Sequence, residues 1–465
     1  MVFSSMVFIF LFLPIVCMLY YAIPNLTYRN VILCASSLFF YAWGEPSYVV
    51  LMLFSIMFNF ICGRAIEKSV WHRKAWFVFT VVVNVLLLCV FKYTGFIVRN
   101  VNVLLPIDIP VPSITLPIGI SFYTFQALSY IIDVYRREVR AQRNIIDLTL
   151  YISLFPQLIA GPIIRYSDIR DEIEYRTVSF TEVIDGLMQF ITGLAAKVII
   201  ANNMAVVADS VFADYKNASA IVMWLAAIAY TLQIYFDFSG YSRMAIGLGK
   251  MFGFHFTENF DYPYTATSIT DFWRRWHITL STWFRDYVYI PLGGNRGSTW
   301  MLIRNITVTW MLTGLWHGAE WNFILWGLYY AVLLLVEKII IGKKRMKKIP
   351  AWLGRCVTMF FVVIGWVLFK TTNSADIPSV FIRLFTPSHV STVQYFAEHA
   401  AVLSKLLLLP IAVAAALPLW KKWTKSNHRK NKGYAVEITV ACVLFVISIC
   451  MLVASTYNPF IYFRF

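Results

Sequence analysis

Long apolar runs, separated by short charged connections, dominate the 465-residue chain. Crossing a hydrocarbon core as a helix takes roughly 20 mostly apolar residues. Runs near that length fall at 3–23, 31–62, 76–96, 114–134, 145–164, 181–206, 219–240, 299–316, 320–341, 352–371, 400–420 and 434–456. The run at 31–62 reads as one long span or as a short pair, and several others are short or interrupted. The pattern predicts an all-α, polytopic integral membrane protein with about eleven to thirteen membrane helices, short and re-entrant ones included. The longest polar connections, around 165–180 and 372–398, are too short to fold alone, and no internal repeat is visible. Residues 1–465 therefore read as a single integral domain.

Composition agrees with the pattern. Hydrophobic residues make up 59% and charged residues 14%, with a mean hydropathy of +0.67, whereas a soluble domain carries about 25% charged residues. Residues 3–23 lack a basic n-region, and no small-x-small cleavage site follows at Ile23-Pro24-Asn25, so a retained first span is expected rather than a signal peptide. The seven cysteines all lie in apolar stretches without a C-x-x-C pair, so they read as small buried hydrophobes and leave metal and redox chemistry without support.

The net charge of +16 comes mainly from clusters between spans: Lys68 to Lys74, Arg136 to Arg143, Lys343 to Lys348 and Lys421 to Lys432. Short loops rich in Lys and Arg stay cytoplasmic, so the charge reads as a topology signal rather than a nucleic-acid site. If 343–348 is cytoplasmic, the span at 352–371 runs outward, 400–420 returns to the basic cluster at 421–432, and 434–456 runs outward again. The chain is then expected to end outside, with Asn458 to Phe465 just past the membrane.

Three stretches place polar residues among apolar ones, where a charge at the centre of a span costs about 2.5–3.5 kcal/mol on insertion scales. In Gln233 to Arg243, Asp237 reads as a buried ion pair or a helix-end contact, with orientation of a catalytic group as the functional alternative. Between Asp271 and Tyr287 lie three Trp, three Arg and one His, a set too charged to cross lipid. At helical spacing Trp273, His277, Leu280, Ser281 and Phe284 share one face, with Arg274 one turn before His277. That segment reads as an interfacial or re-entrant helix. Arg274, Arg275 and Arg285 are suited to a phosphate-bearing cofactor through charge-assisted hydrogen bonds. In Thr313 to Asn322 a single imidazole, His317, sits between two apolar runs beside Trp316 and flanking glycines. A lone buried His is most often structural, and polarity alone does not settle its role.

Taken in order, these motifs resemble the membrane-bound O-acyltransferase family, specifically the bacterial branch that O-acetylates alginate and peptidoglycan. The resemblance runs through Met1-Val-Phe-Ser-Ser, Phe40-Tyr-Ala-Trp43, Leu116-Pro-Ile-Gly-Ile-Ser121 to Gln126, Phe155-Pro-Gln157 to Ile163, the Asp237 stretch, Asp271 to Arg296 and Gly314-Leu-Trp-His-Gly318. Arg243 departs from the acidic residue expected in the alginate branch, which weighs against alginate as the acceptor. The teichoic acid D-alanylation protein is the nearest competitor around both histidines, but the Pro291 to Arg296 motif and the Met1 to Ser5 opening favour O-acetylation.

The resemblance implies a multi-pass enzyme of the bacterial cytoplasmic membrane with no permanently bound cofactor. Acetyl-CoA would be the cytoplasmic donor, His317 the central catalytic residue and His277 the second signature position, there to place the acyl group or stabilise an oxyanion. It further implies a separate extracytoplasmic partner, a serine esterase-like acetyltransferase, that passes the acetyl group to a cell-wall polysaccharide or exopolysaccharide. This chain has no G-x-S-x-G elbow of its own. The C-terminal Phe460-Ile-Tyr462-Phe-Arg-Phe465 resembles a tyrosine-containing hexapeptide in the D-alanylation pathway, which makes Tyr462 a candidate acyl carrier beside its plainer reading as an interfacial anchor. The rival class is a transporter of a lipid-linked or small anionic substrate, since polar residues at membrane depth also mark transport paths.

Overall fold

The computed structural model describes residues 1–105, 107–159, 161–386, 390–419, 421, 432–454 and 457–458. Among them every extended regular element is a helix. Seven helices are long and apolar enough to cross a membrane, or eight if the pair Thr392–Glu398 and Ala400–Ala415, bent by 105°, counts as one span. The remaining apolar runs fold as shorter or interrupted helices. Residues 31–62 resolve into a pair, Leu26–Gly44 and Tyr48–Lys68, and the run at 145–164 breaks into Ile145–Ser153 and the short turn Phe155–Leu158, with Pro156 in its first turn. Proline is tolerated there because the first N–H groups of a helix have no internal partner.

The described chain forms two compact units, Met1–Phe190 with Ser242–Thr257, and Ile191–Tyr241 with Glu258–Phe465. In the first, Phe3 of the opening motif is fully buried and packs its ring 4.9 Å from Phe8, 5.8 Å from Phe40 and 6.5 Å from Phe155. Three of the separated family motifs thus meet in one aromatic cluster. Between the spans Tyr48–Lys68 and Arg73–Leu104, Asn59 and Asn84 exchange side-chain amide hydrogen bonds at 3.1 and 2.9 Å, the polar pairing that joins helices where water is absent.

In the second unit the helices Thr299–His317 and Trp321–Leu335 form a tight antiparallel hairpin. A Cβ on Gly314 would collide with the carbonyl of Phe323, and one on Gly327 with the carbonyl of Trp310. Glycine is required at this crossing because the backbones lie against each other. Against the hairpin packs a cluster of large rings. Trp273 lies 4.6 Å from Trp310 and 4.8 Å from Tyr330, and Trp326 lies 5.2 Å from Phe369. Aromatic pairs at such separations contribute about 0.5–1.5 kcal/mol beyond the area they bury.

Candidate functional site

His317 is the last residue of its helix, which Ser298 caps at the other end by accepting the Met301 N–H at 3.3 Å. The Gly314–Gly327 contact fixes where this helix ends relative to its neighbour, and so where the imidazole sits. Three rings hold it edge-on: Trp316 at 4.9 Å, Trp326 at 5.1 Å and Phe369 at 5.2 Å. The imidazole is half-buried, enclosed on its sides but reachable.

His277 is reached differently. The uninterrupted helix expected over 271–287 does not form: Ile269–Arg275 ends, and His277 adopts φ 44°, ψ 56° before a second helix, Ile278–Phe284, begins. A left-handed residue other than glycine is strained and persists only where its surroundings impose it. Here Asn259 does so, through side-chain contacts to His277 and Thr279. Glu337 holds the first helix by accepting the Ile269 and Thr270 N–H groups at 2.5 and 2.9 Å. The break changes the geometry of the expected face, yet Trp273, Arg274, His277, Leu280, Ser281 and Phe284 still line one wall of a common cavity.

That cavity, about 680 Å³, has both His277 and His317 in its lining, a volume within the range of small-molecule sites. Aromatic and aliphatic side chains, among them Trp273, Trp276, Trp310, Leu280 and Ile306, surround the imidazoles. Arg274, Arg285, Lys338 and Lys347 line it as well, and the first two are exposed. Arg285 shares its charge with Asp286 at 2.7 Å, and Lys338 reaches Asn295 at 3.4 Å. The balance is cationic, which favours an anionic ligand group. His277 is 1% exposed, and burial, then the neighbouring His317, pushes its pKa well below the ordinary histidine value. It is therefore neutral near pH 7.

The other expected site residues divide. Trp316 neighbours both imidazoles, with ring centroids 4.9 Å from His317 and 5.9 Å from His277. Arg275 pairs with Asp271 at 2.9 Å and Asp261 at 3.6 Å and is not in the cavity lining. Asp237 forms a closed ion pair with Lys197 at 2.8 Å, each side chain 3% exposed, and also stands outside that lining. Tyr462 lies outside the described residues. Sequence reasoning missed Lys338, Lys347, Asn295 and Asn259. Lys347 belongs to a cluster read only for topology, and Asn295 sits in the Pro291 to Arg296 motif without an assigned task. Asn259 carries no local signal at all.

A second cavity, about 520 Å³, is lined by Asp209, Tyr215, Tyr230, Lys370, Asn373 and Asp376, among others. Lys370 follows Phe369, whose ring packs on His317, and it is ion-paired with Asp209. Tyr457 donates to the same Asp209 at 2.6 Å, and Asn202 donates to Asn458 at 3.2 Å.

Comparison with known proteins matches residues 133–375 of the chain, which include both histidines, to the model of the membrane-bound O-acyltransferase family. The chain is 45% identical over 380 residues to a probable alginate O-acetylase AlgI of Pseudomonas aeruginosa, covering 80% of this chain and 72% of that one. It is 32% identical over 517 residues to a peptidoglycan O-acetyltransferase of Helicobacter pylori, covering 100% and 98%. A teichoic acid D-alanyltransferase of Bacillus subtilis is 30% identical over 277 residues, covering 54% and 68%. The transporter reading gives way here. This chain belongs to the membrane-bound O-acyltransferase family and is a multi-pass membrane transferase.

Proposed function

We propose that the protein moves an acetyl group from cytoplasmic acetyl-CoA to an acceptor on the other side of the membrane, with His317 as general base. The observation that carries this reading is the single cavity in which cationic side chains and both imidazoles share one lining. Arg274, Lys338 and Lys347 suit the phosphates of coenzyme A, and the apolar side chains that share the lining suit its thioester arm. A hydroxyl adds to the thioester carbonyl as His317 takes its proton. The carbon–sulfur bond then breaks, and the thiolate leaves with the proton returned by the imidazolium.

The second cavity offers the acceptor a place beyond Phe369. Tyr457 and Asn458 are tied to Asp209 and Asn202, and Tyr462, four residues further along the chain than Asn458, serves as the acyl carrier. From Tyr462 the acetyl group passes to an extracytoplasmic serine esterase-like acetyltransferase and on to a polysaccharide. Release of coenzyme A from acetyl-CoA by the purified protein, with and without acceptor, tests the donor. Tyr462→Phe keeps the ring and removes the nucleophile, so unchanged acetylation in that variant would sink the carrier step alone.

A further inference from the structure

Asn259 is 1% exposed, and its side-chain oxygen lies at the centre of the turn that presents His277. Oδ1 is 3.2 Å from the Thr279 amide nitrogen, 3.0 Å from Thr279 Oγ1 and 3.1 Å from His277 Nδ1. Its backbone carbonyl accepts the Ile278 N–H at 3.0 Å. A backbone N–H can only donate, so the Asn259 atom it meets must be the amide oxygen rather than the nitrogen. An amide oxygen can only accept, so Nδ1 of His277 must carry the hydrogen. In a neutral imidazole the other nitrogen, Nε2, then holds the lone pair.

The surroundings keep the ring neutral. Phe238 at 4.5 Å, Trp316 at 5.9 Å and Phe260 at 6.4 Å enclose it. Among the described residues, the charged or titratable groups on the neighbouring elements include His317, Arg274, Arg275 with Asp271 and Asp261, Arg285 with Asp286, Asp237 beside Phe238, Tyr235 and Tyr241 on the same helix, and the exposed Glu258 beside Asn259. Asp237 is compensated by Lys197, Arg275 by its two carboxylates and Arg285 by Asp286. Of these, His317 acts on His277 electrostatically and disfavours a second positive charge.

We propose that Asn259 is a positioning residue for acyl transfer, locking His277 into the Nδ1–H tautomer so that it meets the reacting groups as a hydrogen-bond acceptor and not as an oxyanion donor. The proposal rests on the acyl-transfer reading of the cavity. Any group that meets Nε2 must bring a hydrogen: the acceptor hydroxyl, an amide N–H of the thioester arm, or an N–H of His317. An imidazole accepting from His317 would stabilise the imidazolium formed there when the hydroxyl gives up its proton.

Two measurements on the full chain test this. In protein labelled with ¹⁵N-histidine, with the His277 resonances assigned by their loss in His277→Gln, Nδ1 is protonated and Nε2 is not at neutral pH. The opposite tautomer or a doubly protonated ring overturns the proposal without any activity assay. In Asn259→Asp the accepting oxygen remains, but a carboxylate now favours imidazolium. Acetyl transfer (kcat/KM) then falls about tenfold or more near pH 6 and recovers toward pH 9, an acidic limb shifted upward from that of the unsubstituted protein. A uniform loss at every pH makes Asn259 a mere turn clamp, and a gain at low pH makes His277 a donor; either overturns the proposal. Thr279→Val removes a neighbouring donor but leaves the His277 contact, and it keeps the original profile. Undiminished acetyl transfer in His277→Ala refutes the site reading instead, whatever the tautomer.

Discussion

Two polar constellations among the described residues of the second unit have opposite designs. Lys197 and Asp237 face each other at 2.8 Å, with Lys197 also donating to Asn202 at 2.8 Å. Both charges are spent on each other. His277 and His317 are polar but can be neutral, are held by rings and by Asn259, and line a cavity. A buried charge must be paired, because removing one partner strands the other in a medium that solvates it poorly. A neutral imidazole carries no such penalty and keeps a nitrogen for chemistry. Where two polar groups answer each other the result is structure, and where they answer a cavity the result is a site.

The largest expected effect comes from the open constellation. His317→Ala should lower acetyl transfer by roughly 100- to 10,000-fold, the usual contribution of a general acid–base group, while leaving the thermal unfolding temperature close to that of the unsubstituted protein. Full activity in this variant would remove the contrast. The closed pair should behave in reverse. Asp237→Leu should cost about 3–5 kcal/mol of stability by stranding Lys197, and adding Lys197→Met should recover most of it. Coenzyme A release per folded molecule should stay near normal in the double variant. Lost activity with intact stability would instead make Asp237 part of the site.

A smaller effect sharpens where the donor lies. Arg274→Ala combined with Lys347→Ala should raise KM for acetyl-CoA roughly tenfold, about 1.4 kcal/mol of binding, with kcat little changed and the effect shrinking at high salt. The smallest effect belongs to a third kind of polar cluster, exposed and in the first unit. His255 lies 2.9 Å from Glu172 and 3.1 Å from Glu182. Burial alone would lower its pKa, but the two carboxylates outweigh it and raise the value. Its stabilising contribution is therefore complete below the unfolded histidine pKa of about 6.5 and is lost as pH rises through the raised folded value. A slight fall in unfolding temperature between about pH 6 and pH 9 should vanish in His255→Gln.

Much of this was legible in the chain itself. Apolar run length specifies helices in lipid because no other single segment satisfies its own backbone there. Gly314 is legible as a glycine flanking His317, but its close approach to the backbone near Gly327 appears only in the fold. His317 and His277 stand out as polar residues in apolar company, and the family resemblance links their two motifs. Other relations depend on distance in space rather than along the chain. Nothing near Asp237 named Lys197, forty residues away, as its partner, and Arg275 differs from Arg274 only in the direction a broken helix turns it. Lys338 and Lys347 read as span and loop, yet packing brings both into the lining that holds the histidines. Sequence determined which elements form and which residue types could do chemistry, because those follow from local periodicity and the cost of polarity in lipid. Tertiary structure decided which polar groups cancel each other and which stay available, because that depends on who is within 3 Å.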